Sequence, residues 1–290
     1  MTQKMAVAIV HGIGNQKEDF AEEISERLNQ EFNKLVRNTG HRYESNALEI
    51  EPVYWASIVQ EVEDDLWKKF DEGQLWWKDL RRFIVSYVGD GIAYQIPPSK
   101  TPKDSDKIVY LDIHEQFRRS LKHLTARAGE KAPLCVIAHS LGSIIASNFF
   151  YDLQAAIPYG CPSEKNSPLE NGETLTLFYT LGCPIPLWSL RFTDFGIPIQ
   201  VPSPKLTDHY PDLEGEWINF YDKDDVLGYP LKNLNDKYRL TVKEDIEVKA
   251  GGFLAGATPL SHMYYWNNQK AISMIAQSLT KIWLEINRNQ

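Results

Sequence analysis

Two short stretches hold the residue types that acyl transfer needs, at the spacing it needs them. In Ala138-His139-Ser140-Leu141-Gly142, a serine stands between an apolar run, Pro133–Ala138, and a helical period that begins at Leu141. A serine on a sharp strand-to-helix turn requires small residues two positions to either side, because the strained turn brings those backbones together. Ala138 and Gly142 occupy these positions; Gly is the usual residue at the first of them, so Ala138 is a mild departure. Such a turn lifts the Ser140 hydroxyl off the carboxyl edge of a sheet as a nucleophile. The second stretch, His11-Gly12-Ile13-Gly14, directly follows the apolar run Met5–Val10. Attack on a carbonyl builds negative charge on its oxygen, which preorganised backbone N–H groups must meet. A glycine-rich loop after an early strand supplies one donor and the residue after the nucleophile the other. Ile13 and Leu141 are therefore the expected oxyanion donors, and losing one such donor typically costs about 100–1000-fold in rate. A dinucleotide loop, G-x-G-x-x-G, would need glycine or alanine where Lys17 stands.

The elements that must position these residues can be read from hydrophobic period. Met5–Val10 and Leu48–Tyr54 read as strands around a helix within Lys17–Asn38, whose Phe20, Ile24, Leu28, Phe32 and Leu35 form one stripe. A helix is expected at Tyr110–Arg127, a strand at Pro133–Ala138 and a helix from Leu141 to about Asp152. Further strands are expected at Leu175–Thr180, Glu216–Tyr221 and Glu244–Lys249, before a closing helix over about Asn268–Leu284. Strand and helix in alternation predict an α/β fold with a mostly parallel central sheet of about six strands flanked by helices. Two segments interrupt it. About 57–105 is helical in period and rich in aromatics (Trp67, Phe70, Trp76, Trp77, Phe83, Tyr87, Tyr94); 184–215 is rich in proline. Each is a candidate wall or lid of a substrate pocket. The plainer reading is a helical hairpin on the sheet edge and a surface excursion.

Composition removes other classes of function. At 290 residues the chain is long enough to bury about three quarters of its unfolded surface, so its core needs no disulfide or metal. It is expected to form a single domain carrying those two insertions. Lys+Arg is 31 against Asp+Glu 39, a net charge of −8 that opposes nucleic-acid backbones and anionic lipid surfaces. No run of about 18–20 apolar residues exists to span a membrane, and the N-terminal apolar run stops at His11, too short for a signal-peptide core. Cys135, Cys161 and Cys183 are neither a disulfide framework nor a zinc pattern. The expectation is a cytoplasmic protein with no cofactor and an oligomeric state that the sequence does not fix.

With these pieces in place, the chain resembles the α/β-hydrolase superfamily, in particular bacterial lipases and serine esterases. The resemblance rests on Val10-His11-Gly12-Ile13-Gly14, Ala138-His139-Ser140-Leu141-Gly142, an acidic turn after a late strand and a histidine before the last helix. Some lipases of that group also carry alanine at the first position of the serine turn. The family order of nucleophile, acid and histidine places the acid in Asp222-Lys223-Asp224-Asp225-Val226, just past Glu216–Tyr221. The Asp-x-Val pattern common in the family selects Asp224, with Asp225 and Asp222 in reserve; an acidic run is otherwise a solvated turn. Among seven histidines, His262 follows Gly251-Gly252 and Gly256 and precedes the last helix, where a flexible loop can hang its imidazole over Ser140. His209 lies in the proline-rich segment, and His41, His114 and His123 fall in early or helical segments as ordinary residues. His11 and His139 belong to the two motifs and are expected, with Gly12, Gly14 and Gly142, to shape the pocket. A metal held by His11, His139, Asp224 and His262 lacks the close-spaced ligand pair such sites show.

The resemblance implies a serine hydrolase of carboxylic esters or lipid-like substrates, with Ser140, His262 and Asp224 as its triad. Thioesters and amides use the same machinery, as does an acyltransferase. The competing class is a hydrolase fold kept as a binding module, with the aromatic insertions as a partner surface.

Overall fold

The computed structural model describes residues 2–13, 16–40, 47–71, 89–95, 109–157, 165–251 and 259–288. Six strands, β1 (Met5–Val10), β2 (Leu48–Val53), β3 (Leu134–His139), β4 (Leu175–Leu181), β5 (Glu216–Tyr221) and β6 (Glu244–Glu247), form one sheet in the order β2-β1-β3-β4-β5-β6. Every pairing is parallel. A parallel sheet is covered on both faces, so its central strands read as unbroken apolar runs. The side-chain period of two then sorts them. Met5, Val7, Ile9, Cys135 and Ile137 enter one core, while Ala6, Ala8, Val10, Leu134, Val136 and Ala138 enter the other.

The helices complete these layers. On the first face lie α1 (Glu22–Asn38), through Ile24, Leu28, Phe32 and Val36, and the last helix, α7 (Gln269–Ile286), through Ile275, Leu279, Ile282 and Trp283. On the other lie α3 (Val109–Ala128) and α4 (Leu141–Gln154), which meet where the Phe117 and Phe149 rings stack 4.3 Å apart. Fully burying one such side chain is worth about 1.5–3 kcal/mol, so these stripes rather than helix propensity hold the layers to the sheet. Asn268 caps α7 by accepting the Ala271 N–H at 3.1 Å. The α1 helix begins at Glu22 instead of Lys17, because residues 17–22 close two tight turns, Phe20 N–H to Lys17 and Glu22 N–H to Asp19.

Of the aromatic insertion, α2 (Ala56–Asp71) is helical, as is a short turn at 89–93. Tyr94 is buried and stacks on Tyr110 at 4.9 Å. Trp76, Trp77, Phe83 and Tyr87 lie outside the described residues, as do Gly14, His41 and Cys161. The proline-rich segment holds a short helix, α5 (Ile185–Ser189), and two single 3₁₀ turns, Thr193–Phe195 and Leu206–Asp208. A further short helix, α6 (Asp236–Thr241), precedes β6. Among the described residues no helix is long and apolar enough to cross a membrane.

Candidate active site

The chain leaves β1 for β2 on one side, then returns to β3 on the other side of β1. The loops leaving the carboxyl ends of β1 and β3 therefore diverge, one toward α1 and the other toward α4, and a crevice at such a switch point is where open α/β sheets bind ligands. His11-Gly12-Ile13 and Ser140 are the residues at these two strand ends.

Ser140 adopts φ 52° and ψ −128°, a left-handed φ that costs a residue with a side chain about 1–3 kcal/mol. Its surroundings hold it there. The Ser140 N–H donates to the Leu181 carbonyl at 3.0 Å, its carbonyl accepts the Ser143 N–H at 2.9 Å, and the Ser143 hydroxyl donates to the Ala138 carbonyl at 3.0 Å. The requirement for a small residue at 142 is steric. A Cβ on Gly142 would lie 2.4 Å from the His11 carbonyl oxygen and 2.8 Å from that of Val10, so the turn and the β1 loop touch backbone to backbone. Leu141 opens α4, where helix geometry leaves its N–H without an intrahelical acceptor; both Leu141 and Ile13 are buried beside the serine turn.

His262 sits in a 3₁₀ turn, Pro259–Met263, and its Nε2 accepts the Ser140 hydroxyl at 2.7 Å. Its Nδ1–H donates to Asp225 Oδ2 at 2.9 Å. The acid preferred from the sequence is corrected by one residue: Asp225, not Asp224, meets the histidine. The geometry of the turn explains it. Asp222 is fully buried; its carboxylate folds back to accept the Ala250 N–H at 2.7 Å and the Asp224 N–H at 3.0 Å, while its carbonyl accepts the Asp225 N–H. This reversal leaves Asp224 exposed, paired with Lys249 at 2.8 Å, and turns Asp225 inward. Burial alone would raise the Asp225 pKa; the His262 hydrogen bond and charge, with donors from Leu227 and Tyr265, outweigh it and hold the carboxyl below its ordinary value.

The other two motif histidines are built into the frame. His139 Nε2–H donates to the His262 carbonyl at 2.8 Å, tying the turn that carries one imidazole to the strand that carries the serine. His11 stacks on Trp55 at 4.7 Å, donates from Nδ1 to the Gly12 carbonyl at 2.6 Å, and accepts the Trp55 and Ala56 N–H groups on Nε2 at 3.1 and 3.3 Å. A neutral imidazole thereby caps α2 and fixes the β1 loop together. Burial lowers the pKa of His11 to about 4 and, with the nearby His262, that of His139 to about 3. The other described histidines lie elsewhere: His114 is buried against Tyr94, His123 pairs with Glu51 and His209 with Glu173. Among the described residues no group of three or more His, Cys, Asp or Glu is placed to hold a metal ion.

Sequence reasoning missed Tyr265 and Gly182. The Tyr265 hydroxyl donates to Asp225 Oδ2 at 2.8 Å and accepts the Asp222 N–H at 2.8 Å, bracing the acidic turn. Gly182 has φ 55°, and a Cβ there would lie 2.7 Å from the Tyr265 ring and 3.2 Å from His262 Nδ1. The signals were faint: a tyrosine three residues past the histidine, and a glycine directly after β4. The arrangement as a whole joins a hydroxyl, an imidazole and a buried carboxylate in one hydrogen-bonded line beside two amide-bearing turns, which is the equipment for general-base activation of the hydroxyl.

Neither a family model nor a curated relative matches the chain. Among solved structures, it is similar to a fungal esterase from Rhizomucor miehei, with 10% identity over 99% of this chain and 77% of that one and a TM-score of 0.45. It is similar also to the Pyrobaculum calidifontis esterase, with 11% identity over 97% and 77% and a TM-score of 0.44. A metagenome-derived lipolytic enzyme, LipS or LipT, shows 10% identity over 97% and 95% with a TM-score of 0.41. The parallel strand order, the helices on both faces and the strained serine turn between β3 and α4 give this chain the α/β-hydrolase fold.

Proposed function

We propose that the protein is a serine hydrolase of carboxylic esters and that Ser140, His262 and Asp225 are its triad. The observation that carries this reading is the unbroken line from the Ser140 hydroxyl through His262 to Asp225, at 2.7 and 2.9 Å. Ser140 Oγ attacks the ester carbonyl as its proton passes to His262 Nε2, and Asp225 stabilises the imidazolium and fixes its tautomer. The N–H groups of Ile13 and Leu141 receive the oxyanion. The tetrahedral intermediate collapses as His262 returns the proton to the leaving alcohol, leaving an acyl group on Ser140. A water, deprotonated by the same imidazole, then releases the carboxylic acid. On this reading residues 1–290 form one catalytic domain.

Intact-mass measurement after treatment with a fluorophosphonate tests the reading. A single adduct is expected on the wild type and none on Ser140→Ala, together with hydrolysis of nitrophenyl esters by the wild type alone. A folded wild type that takes no adduct and cleaves no ester would overturn it.

A further inference from the structure

A cavity lies away from the serine. It has a volume of about 410 Å³ and runs along one face of α4, against α5 and the 3₁₀ turn that follows it. That volume is at the lower end of the roughly 300–1,000 Å³ of small-molecule pockets. Neither Ser140 nor His262 lines it. Its nearest wall, Ile144, stands one helical turn beyond the serine, and Tyr151 is two turns further on. Trp188, Phe192, Phe195 and Ile197 close the opposite side, and of these Phe192, Phe195 and Ile197 leave large apolar surface exposed.

Three features indicate a built site and what it takes. The first is charge. Arg191 is not itself a lining residue, but its guanidinium lies over the rings of two that are, Phe192 at 4.8 Å and Trp188 at 5.8 Å, and it has no carboxylate partner among the described residues. The second is strain. Asp194 and Phe195 adopt φ 53° and 57°, an uncommon conformation for residues with side chains, and Asn235 pins it by donating to the Asp194 and Gly196 carbonyls at 2.6 and 3.1 Å. The third is polarity at the inner wall. Asp152 is buried there, accepts the Tyr110 hydroxyl at 2.7 Å and stands 3.4 Å from His114 Nδ1. An anionic head is therefore excluded from the inner end and drawn to the guanidinium over Phe192 and Trp188.

We propose that this cavity binds an apolar monocarboxylate, its chain lying along α4 and its carboxylate on Arg191. A medium-chain acid of the kind released by ester cleavage has this chemistry. The site stands whether or not Ser140 is the nucleophile, because none of its walls belongs to the serine line.

Calorimetric titration of the full chain with octanoate, decanoate and dodecanoate tests the proposal, with decanol and decylammonium as controls. Saturable binding of one decanoate is expected, tightening about fourfold per added methylene until the cavity is filled. Arg191→Gln should weaken decanoate about tenfold, as loss of a charged hydrogen bond does, and Ile197→Asp, at an exposed rim position, should abolish it. Circular dichroism melts establish that both variants fold. Three results would each overturn the proposal: no saturable decanoate binding, decylammonium or decanol binding as tightly as decanoate, or decanoate affinity unchanged in both variants. The last would place any bound acid elsewhere, such as beside Ser140.

Discussion

Exchanging the two adjacent acids for their amides gives the sharpest test of the serine line, since one step along the chain separates a buried partner from a solvated one. The Asp225 carboxylate collects the Leu227 N–H on Oδ1 at 2.9 Å, and the Tyr265 hydroxyl and His262 Nδ1–H on Oδ2 at 2.8 and 2.9 Å. In Asp225→Asn the amide oxygen keeps the Leu227 N–H, which turns the NH₂ group toward His262. The imidazole then settles with Nδ1 accepting and Nε2 protonated, the tautomer that cannot take the serine proton. The corresponding substitution in a serine protease lowers kcat by about 10⁴, and a similar fall in kcat/KM corresponds to about 5.5 kcal/mol of lost transition-state stabilisation. Because Tyr265 can reverse its hydroxyl and His262 its tautomer, the stability loss should stay within about 1–3 kcal/mol. Asp224→Asn removes only the exposed pair with Lys249. Such pairs are worth about 0–1 kcal/mol, and its activity should remain within about twofold of wild type. The assays are steady-state hydrolysis of a nitrophenyl ester and the second-order rate of fluorophosphonate labelling, with thermal melts alongside. Asp225→Asn retaining activity within tenfold of wild type, or Asp224→Asn falling as far as Asp225→Asn, would refute the reasoning.

Two further outcomes follow from distances and burial. Gly142→Ala places a Cβ 2.4 Å from the His11 carbonyl, so the β1 loop must shift and carry the Ile13 amide with it; ester turnover should fall about 100–1000-fold while the protein still melts cooperatively, and unchanged turnover would place the oxyanion donors elsewhere. His11 and His139 remain neutral when folded, with pKa values lowered from 6.5 to about 4 and about 3. Below pH 6.5 the unfolded chain therefore binds protons that the folded one refuses, and stability should drop as pH falls from 6.5 toward 4, by about 1.4 kcal/mol per pH unit for each histidine. Urea unfolding across that range reads the slope, and His139→Asn should reduce it; a flat profile would mean that the two imidazoles accept protons in the folded state.

Secondary structure was legible wherever apolar period and burial coincide. Glu216–Tyr221 and the start of α4 at Leu141 are read from the sequence at their observed positions, since a parallel strand buried on both faces leaves a mostly apolar run and the serine turn marks where the largely buried α4 begins. The serine turn was legible for a related reason: its steric needs fall on residues fixed in sequence, Ala138 and Gly142. The acid was not. Asp222, Asp224 and Asp225 differ in their surroundings only through the pitch of one turn, and that pitch is set by Ala250 and Tyr265, which lie 28 and 43 residues from Asp222. Of the cavity along α4 only one wall was legible, the segment 184–215 read as a candidate pocket wall; its partners were not, since Ile144, Phe195 and Tyr238 converge only once α5 and its following turn pack against α4.

The histidine count around the serine follows a rule of charge. On the proposed mechanism an imidazolium forms on His262, and within the buried site it is stabilised only if the nearest charge is negative and no positive charge stands beside it. Asp225 supplies the first condition. The second is at risk from His139, whose ring centroid is 5.0 Å from that of His262. Burial removes the risk by keeping His139 neutral, and a neutral imidazole can still donate from Nε2 to hold the His262 carbonyl. His11 repeats the solution on the other side, donating to Gly12 while its second nitrogen accepts from the start of α2. Asp222, the remaining buried acid of the turn, is answered by the Ala250 and Asp224 N–H groups and by Lys249 at 3.4 Å, so it does not compete with Asp225 for the imidazole. Arginine or lysine at position 139 or 11 would bring a second positive charge, one that at position 139 would compete with an imidazolium on His262 for Asp225. Uncharged donors that are also rigid rings therefore fit these two positions, which accounts for three histidines near a serine whose proposed chemistry uses one.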